Sequence, residues 1–198
     1  MIYPIVAYGD PILRKPTRFI EKDEMDLKKL SADMFETMYS ANGVGLAAPQ
    51  VGLNIRVFVA DGTPFSEKDE DDDDDEEVDL SLMGFKKTFI NPEILEENGE
   101  EWAFEEGCLS IPGIRGDVYR PERLVIRYRD TEWNEFTEEY TGMAARIIQH
   151  EYDHLLGKLF VDYLPTLKKQ LIKKKLQNIM EGKARPDYKM KFLSKKGR

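Results

Sequence analysis

Apolar residues recur at three- and four-residue spacing in Leu27, Leu30, Met34 and Met38, which predicts a helix over 26–41. Asn42-Gly43 closes it, because glycine readily takes the left-handed conformation that ends a helix. The uninterrupted apolar run Ile55 to Ala60 predicts a buried strand. Further strands are expected around Thr88–Ile90, Glu101–Phe104 and Arg123–Arg129. The polar stretch Asp130 to Asn134 turns the last of these into a hairpin with Phe136–Tyr140. Thr141 suits the N-cap of a helix reaching Leu156, with Gly157 as its stop. Beyond Pro165, Leu167, Leu171, Ile172, Leu176 and Ile179 form one apolar stripe opposite lysines, a second amphipathic helix. Strands and helices do not alternate regularly. An α+β fold built on antiparallel β-sheets is therefore favoured over a doubly wound one.

Charge changes this picture at two places. Residues 67–79 hold eleven acids and one lysine, five of them consecutive aspartates, Asp71 to Asp75. Such density resists burial, so 62–84 is expected to be a long, mobile and solvated surface insertion. Pro165 to Arg198 holds twelve Lys/Arg against Glu181 and Asp187. The net charge of −9 averages these opposed blocks and says little about partners. A length of 198 residues with 41% hydrophobic residues suits one catalytic domain over 1–163 with a basic C-terminal helix and tail over 164–198. One cysteine permits no internal disulfide, which fits a reducing cytosol. Met1-Ile2-Tyr3-Pro4 lacks a basic region leading into an apolar stretch, and no run of 18 apolar residues occurs. A soluble cytoplasmic protein without a membrane span is expected.

The chemistry concentrates in His150-Glu151-Tyr152-Asp153-His154. Four residues is just over one helical turn, so both imidazoles project from one helix face and can meet one ion. Glu151 lies about 100° around the helix from His150, beside such an ion, where it suits a base for an activated water. These are the only two histidines in the chain, and random placement gives that spacing roughly once in a hundred. A catalytic tetrahedral site needs a third ligand and one open position. Cys108, within Glu105-Glu106-Gly107-Cys108-Leu109-Ser110, is the natural candidate as a soft thiolate, the alternative being a small buried hydrophobe.

Three segments together resemble the signature motifs of peptide deformylases. They are Gly43-Val44-Gly45-Leu46-Ala47-Ala48-Pro49-Gln50, Glu106-Gly107-Cys108-Leu109-Ser110 and Gln149-His150-Glu151-Tyr152-Asp153-His154. The resemblance runs from Tyr8 to about Met180 and includes Ile90-Asn91-Pro92-Glu93 and Gly157-Lys158-Leu159-Phe160. The acidic 62–84 insertion departs from the family by its length.

The resemblance implies antiparallel sheets packed around a central helix that carries the metal. It implies Cys108, His150 and His154 as ligands of one divalent ion, usually Fe²⁺ and replaceable by Ni²⁺, Co²⁺ or Zn²⁺. It further implies Glu151 as the acid/base, with the Gln50 amide and the Leu109 N–H as oxyanion donors, and the Gly45 backbone facing substrate. The implied reaction removes the N-formyl group from the N-terminal methionine of nascent polypeptides. Val44 and Ile147 are candidates for the methionine pocket, with core packing as the equal alternative. Arg115 matches a family arginine near the substrate backbone, against a merely solvated side chain, and Glu106 with Arg120 could form a supporting ion pair. The family also implies ribosome docking through the C-terminal helix, against a solvated face with a frayed tail after Pro186. Two competing readings remain: an H-E-x-x-H metalloendopeptidase, and a nucleic-acid-associated domain with a structural metal.

Overall fold

The computed structural model describes residues 1–66 and 82–193. Its elements run β1 (Ile5–Val6), α1 (Leu27–Ser40), β2 (Gly45–Ala47), β3 (Val57–Asp61), β4 (Lys86–Cys108), β5 (Ile111–Arg129), β6 (Glu135–Thr141), α2 (Gly142–Leu155), α3 (Thr166–Met180) and β7 (Met190–Lys191). The fold is α+β. Five strands form one antiparallel sheet in the order β2-β3-β4-β5-β6, while β1 and β7 form a separate two-stranded parallel pair.

The sheet lies between two helices. Leu46, Val57, Val59 and Ile90 pack with Leu30, Met34, Phe35 and Met38 of α1. Ala47, Phe58, Ala60, Phe89 and Ile126 pack with Ala145, Ile148 and Leu155 of α2. Successive residues of a strand point to opposite faces, so β3, covered on both, is apolar without alternation until its last residue. Phe58 and Phe89 stack at 4.5 Å between ring centres beneath α2. A third cluster, including Ile111, Ile114, Phe160, Leu164, Ile172 and Ile179, holds α3 against β5.

Several local expectations hold and others shift for identifiable reasons. Asp26 caps α1 by accepting from Lys29 N at 2.9 Å. The left-handed residue after that helix is Asn42 (φ 54°), not Gly43. Gly43 lies close to Leu109, and a Cβ there, 2.7 Å from Leu109 Cδ1, would make that side chain shift. Thr141 stands at the N-cap of α2 but its side chain makes no capping bond. Gly157 does take a left-handed conformation beyond it (φ 74°).

The strands expected near Thr88–Ile90 and Glu101–Phe104 are parts of one long strand, β4. Register shifts at four places let β4 and β5 bend together as a long hairpin. Its middle, around Leu95–Glu101, is exposed and polar, which hid it from hydrophobic patterning.

The insertion expected over 62–84 is shorter than its charge suggested. Thr63–Phe65 forms a 3₁₀ turn, Leu82 is fully buried, and Gly62 N donates to Phe85 O at 2.8 Å. Leu82 and Phe85 thus sink into the α2-side core, Phe65 at the other end stays exposed, and the aspartate run itself lies outside the described residues. Over residues 187–193 the tail is not frayed, because Ile5 N donates to Lys189 O and Ala7 N to Lys191 O at 2.8 and 2.9 Å. Residues 194–198 lie outside the described residues.

The apolar stripe of α3 is only partly used. Ile172 and Ile179 are buried, but Leu167 and Leu171 are 69% and 70% exposed. A single helix edge touches the core, narrower than the stripe. Replacing Ile172 with alanine should therefore cost about 2–5 kcal/mol in urea unfolding. Leu171→Ala should change stability by less than about 0.5 kcal/mol.

Candidate metal centre

Two elements that are far apart in the chain meet at the centre. Cys108 ends β4, immediately before the two-residue Leu109-Ser110 turn into β5. His150 and His154 lie one turn apart on α2, with ring centres 5.2 Å apart. One ligand atom from each of Cys108, His150 and His154 falls within 4.8 Å of the others. Cys108 Sγ is 3.4 Å from His154 Nε2. His150 Nδ1 is bonded to Glu106 Oε2 at 2.9 Å, which leaves Nε2 for an ion.

The donor set fits a metal. A thiolate with two imidazoles suits a first-row transition ion, and three donors leave an open position. Glu151 is 4% exposed, and its Oε2 is buried without a protein partner. A polar group is therefore owed to that oxygen, and water at an open metal position would satisfy it. Burial pushes the Glu151 carboxyl up to about 7. Burial likewise holds His154 well below the usual histidine range. Burial opposes the charged form of His150 too, but hydrogen bonds to Cys108 and Glu106 raise it well above that range. A cation among these donors would displace that proton.

A buried charge cluster supports His150. Glu106 accepts from Arg120 Nε at 2.7 Å and Nη2 at 3.0 Å, and from Arg146 Nη1 at 3.0 Å. Arg120 Nη1 also donates to Asp153 Oδ2 at 2.8 Å, and Tyr163 OH to Asp153 Oδ1 at 3.0 Å. Burial works against the charge on Glu106, yet bonds from His150 and Arg120 hold it well below the carboxylate range. The Glu106–Arg120 pair was anticipated, but the parts of Arg146 and Asp153 were not. Arg146 is four residues before His150 and therefore on its helix face, a spacing that could have revealed it.

The 43–50 segment forms the opposite side. Gln50 is buried rather than an exposed loop amide, with 1% exposure. Its Oε1 accepts from Ala47 N at 2.8 Å, which turns Nε2 toward Cys108 Sγ and Ser110 Oγ, each at 3.4 Å. Gly45 presses on the carboxyl of Glu151. A methyl group at 45 would come within 2.6 Å of Glu151 Cδ and closer still to Oε1.

These residues line a cleft of about 1020 Å³. Val44, Gly45, Gln50, Cys108, Leu109, Arg115, Ile147, His150 and Glu151 are all on its wall. His154 sits behind it at 1% exposure. Val44 and Ile147 also pack in the α2-side core, so lining and packing are not exclusive for them. Arg115 is exposed on β5, paired in register with Gly107. Phe65 and the C-terminal stretch 184–188 complete the wall. Neither carries a local sequence signal, because only long-range packing brings it there.

The Glu106 cluster yields a direct test. Glu106→Gln keeps the shape but weakens the bond that orients His150 and leaves two arginines short of charge. Its affinity for Ni²⁺ or Zn²⁺ should fall about 10- to 100-fold in chelator competition. Unaltered affinity would mean that Glu106 does not orient His150.

Comparison with known proteins agrees with this geometry. Residues 2–170 match the family model described as polypeptide deformylase. The peptide deformylase of Flavobacterium psychrophilum is 61% identical over 99% of this chain and all of its own length. That of Cytophaga hutchinsonii is 59% identical with the same coverage. The crystal structure of a peptide deformylase from Legionella pneumophila aligns with a TM-score of 0.76 at 38% identity, covering 93% of this chain and 99% of that one. The crystal structure of the peptide deformylase from Thermus thermophilus aligns at 0.78 and 37% identity, covering 92% of this chain and all of its own. Matched along most of its length in sequence and in fold, the chain belongs to the peptide deformylase family.

Proposed function

We propose that this chain removes the N-formyl group from the N-terminal methionine of newly made polypeptides, releasing formate and a free α-amine. The observation that carries the reading is the convergence of one sulfur and two imidazoles beside a buried carboxylate with an unpartnered oxygen. Cys108, His150 and His154 would hold one divalent ion, Fe²⁺ in the native protein, with Ni²⁺, Co²⁺ or Zn²⁺ as substitutes. An ion held there acidifies water and polarises a carbonyl. Among the described residues the cluster has three ligands and no fourth, which disfavours a closed structural site. The metalloendopeptidase and nucleic-acid readings are not favoured by the family match.

The chain's own groups divide the remaining work. Glu151 takes the proton of the attacking water on Oε2 and delivers it to the departing amine, and a carboxyl near 7 suits both halves of that transfer. The Gln50 amide and the Leu109 N–H meet the negative charge that develops on the formyl oxygen. Because Gln50 Oε1 is committed to Ala47 N, its amide donor cannot swing away. The edge strand β2 can accept an extended substrate through its main chain, a recognition that ignores side-chain identity beyond the first residue. Val44 and Ile147 would receive the methionine side chain and Arg115 the following backbone. A cytoplasmic location suits such a substrate, and no described helix is long and apolar enough to cross a membrane.

Ribosome docking through α3 is part of the same reading. The helix exposes Lys168, Lys169, Lys173, Lys174 and Lys175 together with Leu167 and Leu171. Reversing Lys173, Lys174 and Lys175 to glutamate should weaken salt-dependent cosedimentation with ribosomes while leaving hydrolysis of small substrates intact. Equal cosedimentation would remove α3 from the interface.

The decisive experiment is formate release from formyl-Met-Ala-Ser by protein purified without oxygen, with acetyl-Met-Ala-Ser as control. Hydrolysis of the formyl peptide alone is expected, and no formate would end the reading. Glu151→Gln should retain its metal and lose about a hundredfold or more in kcat. Gly45→Ala should lower kcat at least about tenfold by displacing that carboxyl, with metal content unchanged.

A further inference from the structure

The C-terminal segment reaches the reacting end of the cleft. Tyr188 OH donates to the backbone carbonyl of Leu109 at 2.7 Å. The next carbonyl in the same turn, Ser110 O, accepts from Tyr8 N at 2.8 Å. Tyr8 follows β1 and Tyr188 precedes β7, and these two strands pair in register, Ile5 with Met190 and Val6 with Lys191. Two consecutive carbonyls of a two-residue turn are thus held by the two chain ends, which also hold each other. The packing agrees, since Met190 and Phe192 lie against the same apolar cluster as Ile111 and Cys108.

This arrangement bears on catalysis through one short covalent path. Only the two backbone torsions of Leu109 separate its carbonyl from its own N–H. Holding the carbonyl therefore restricts the direction of the N–H. Tyr188 lies beyond residue 170, where the family match ends, and within no motif of the sequence.

We propose that Tyr188 is a positioning residue for deformylation, its hydroxyl fixing the Leu109 carbonyl so that the Leu109 N–H points at the developing oxyanion. The proposal rests on the reading of Leu109 as an oxyanion donor given above. It concerns orientation and assigns Tyr188 no contact with substrate.

The test uses the metal-loaded full chain and formyl-Met-Ala-Ser. Tyr188→Phe keeps the ring and its packing and removes only the hydroxyl. Its kcat should fall about three- to tenfold, as expected for one lost hydrogen bond, with KM within about twofold. Metal content should be unchanged, and amide exchange should quicken around 108–111 but not across β1 and β7. An unaltered kcat overturns the proposal, as does a loss accompanied by metal release or by faster exchange throughout the C-terminal segment. A second protein carries leucic acid at position 109, an ester in place of that amide, and so lacks the N–H itself. If the ester protein keeps full kcat, the oxyanion reading fails and this inference with it. If the ester protein is impaired but Tyr188→Phe is not, Tyr188 alone is excluded. In the ester background Tyr188→Phe should cost nothing further, and additive losses would show that Tyr188 acts elsewhere.

Discussion

The carboxylate of Glu106 is the group on which the geometry of the centre turns. It receives two arginines and the Nδ1 of His150, and it lies in a part of the protein closed to water. A charge buried in this way is tolerated only when every oxygen finds a partner, and removal of one partner leaves the others exposed to the full cost of desolvation. Glu106 and Asp153 balance Arg120 and Arg146, so the cluster is neutral as a set. It ties β4, β5 and α2 together at the point where a ligand from the sheet must meet two from the helix. Since Glu106 precedes Cys108 by two residues on one strand, both side chains fall on the same face. One strand therefore carries both Cys108 and the carboxylate that holds His150.

The second constraint is steric. The Glu151 carboxylate, the Cys108 turn and the 43–50 segment occupy a space that side chains at 43 and 45 would fill. Missing Cβ atoms bring backbone to within contact of Glu151 and Leu109, and β2 is an edge strand of the sheet. Gln50 then fixes its amide by an internal bond to Ala47, so the polar groups facing the cleft are oriented before anything binds.

The chain ends add a third support. The basic C-terminal region looked in sequence like a solvated appendage, and its lysines along α3 are indeed exposed. Beyond Gly182, however, the chain returns to the cleft and pairs with β1. The region thus has two aspects: a charged outer helix face, and an inner segment packed beside the Cys108 turn.

By itself the sequence determined the helices, the α+β class and the candidates for the reacting groups. Those depend on local rules: apolar spacing in α1, a four-residue separation of His150 and His154, and a single thiol able to serve as a third donor. It could not determine the length of β4, because that strand's exposed middle is polar on both faces and carries no period. Nor could it determine that Arg120 joins Asp153 to Glu106 in one charge cluster, that Leu171 is left outside, or that residue 188 touches residue 109. Such contacts join positions many residues apart, and their strength comes from desolvation and mutual exclusion of space. Those quantities have no value until the chain is folded, so only the tertiary structure decided them.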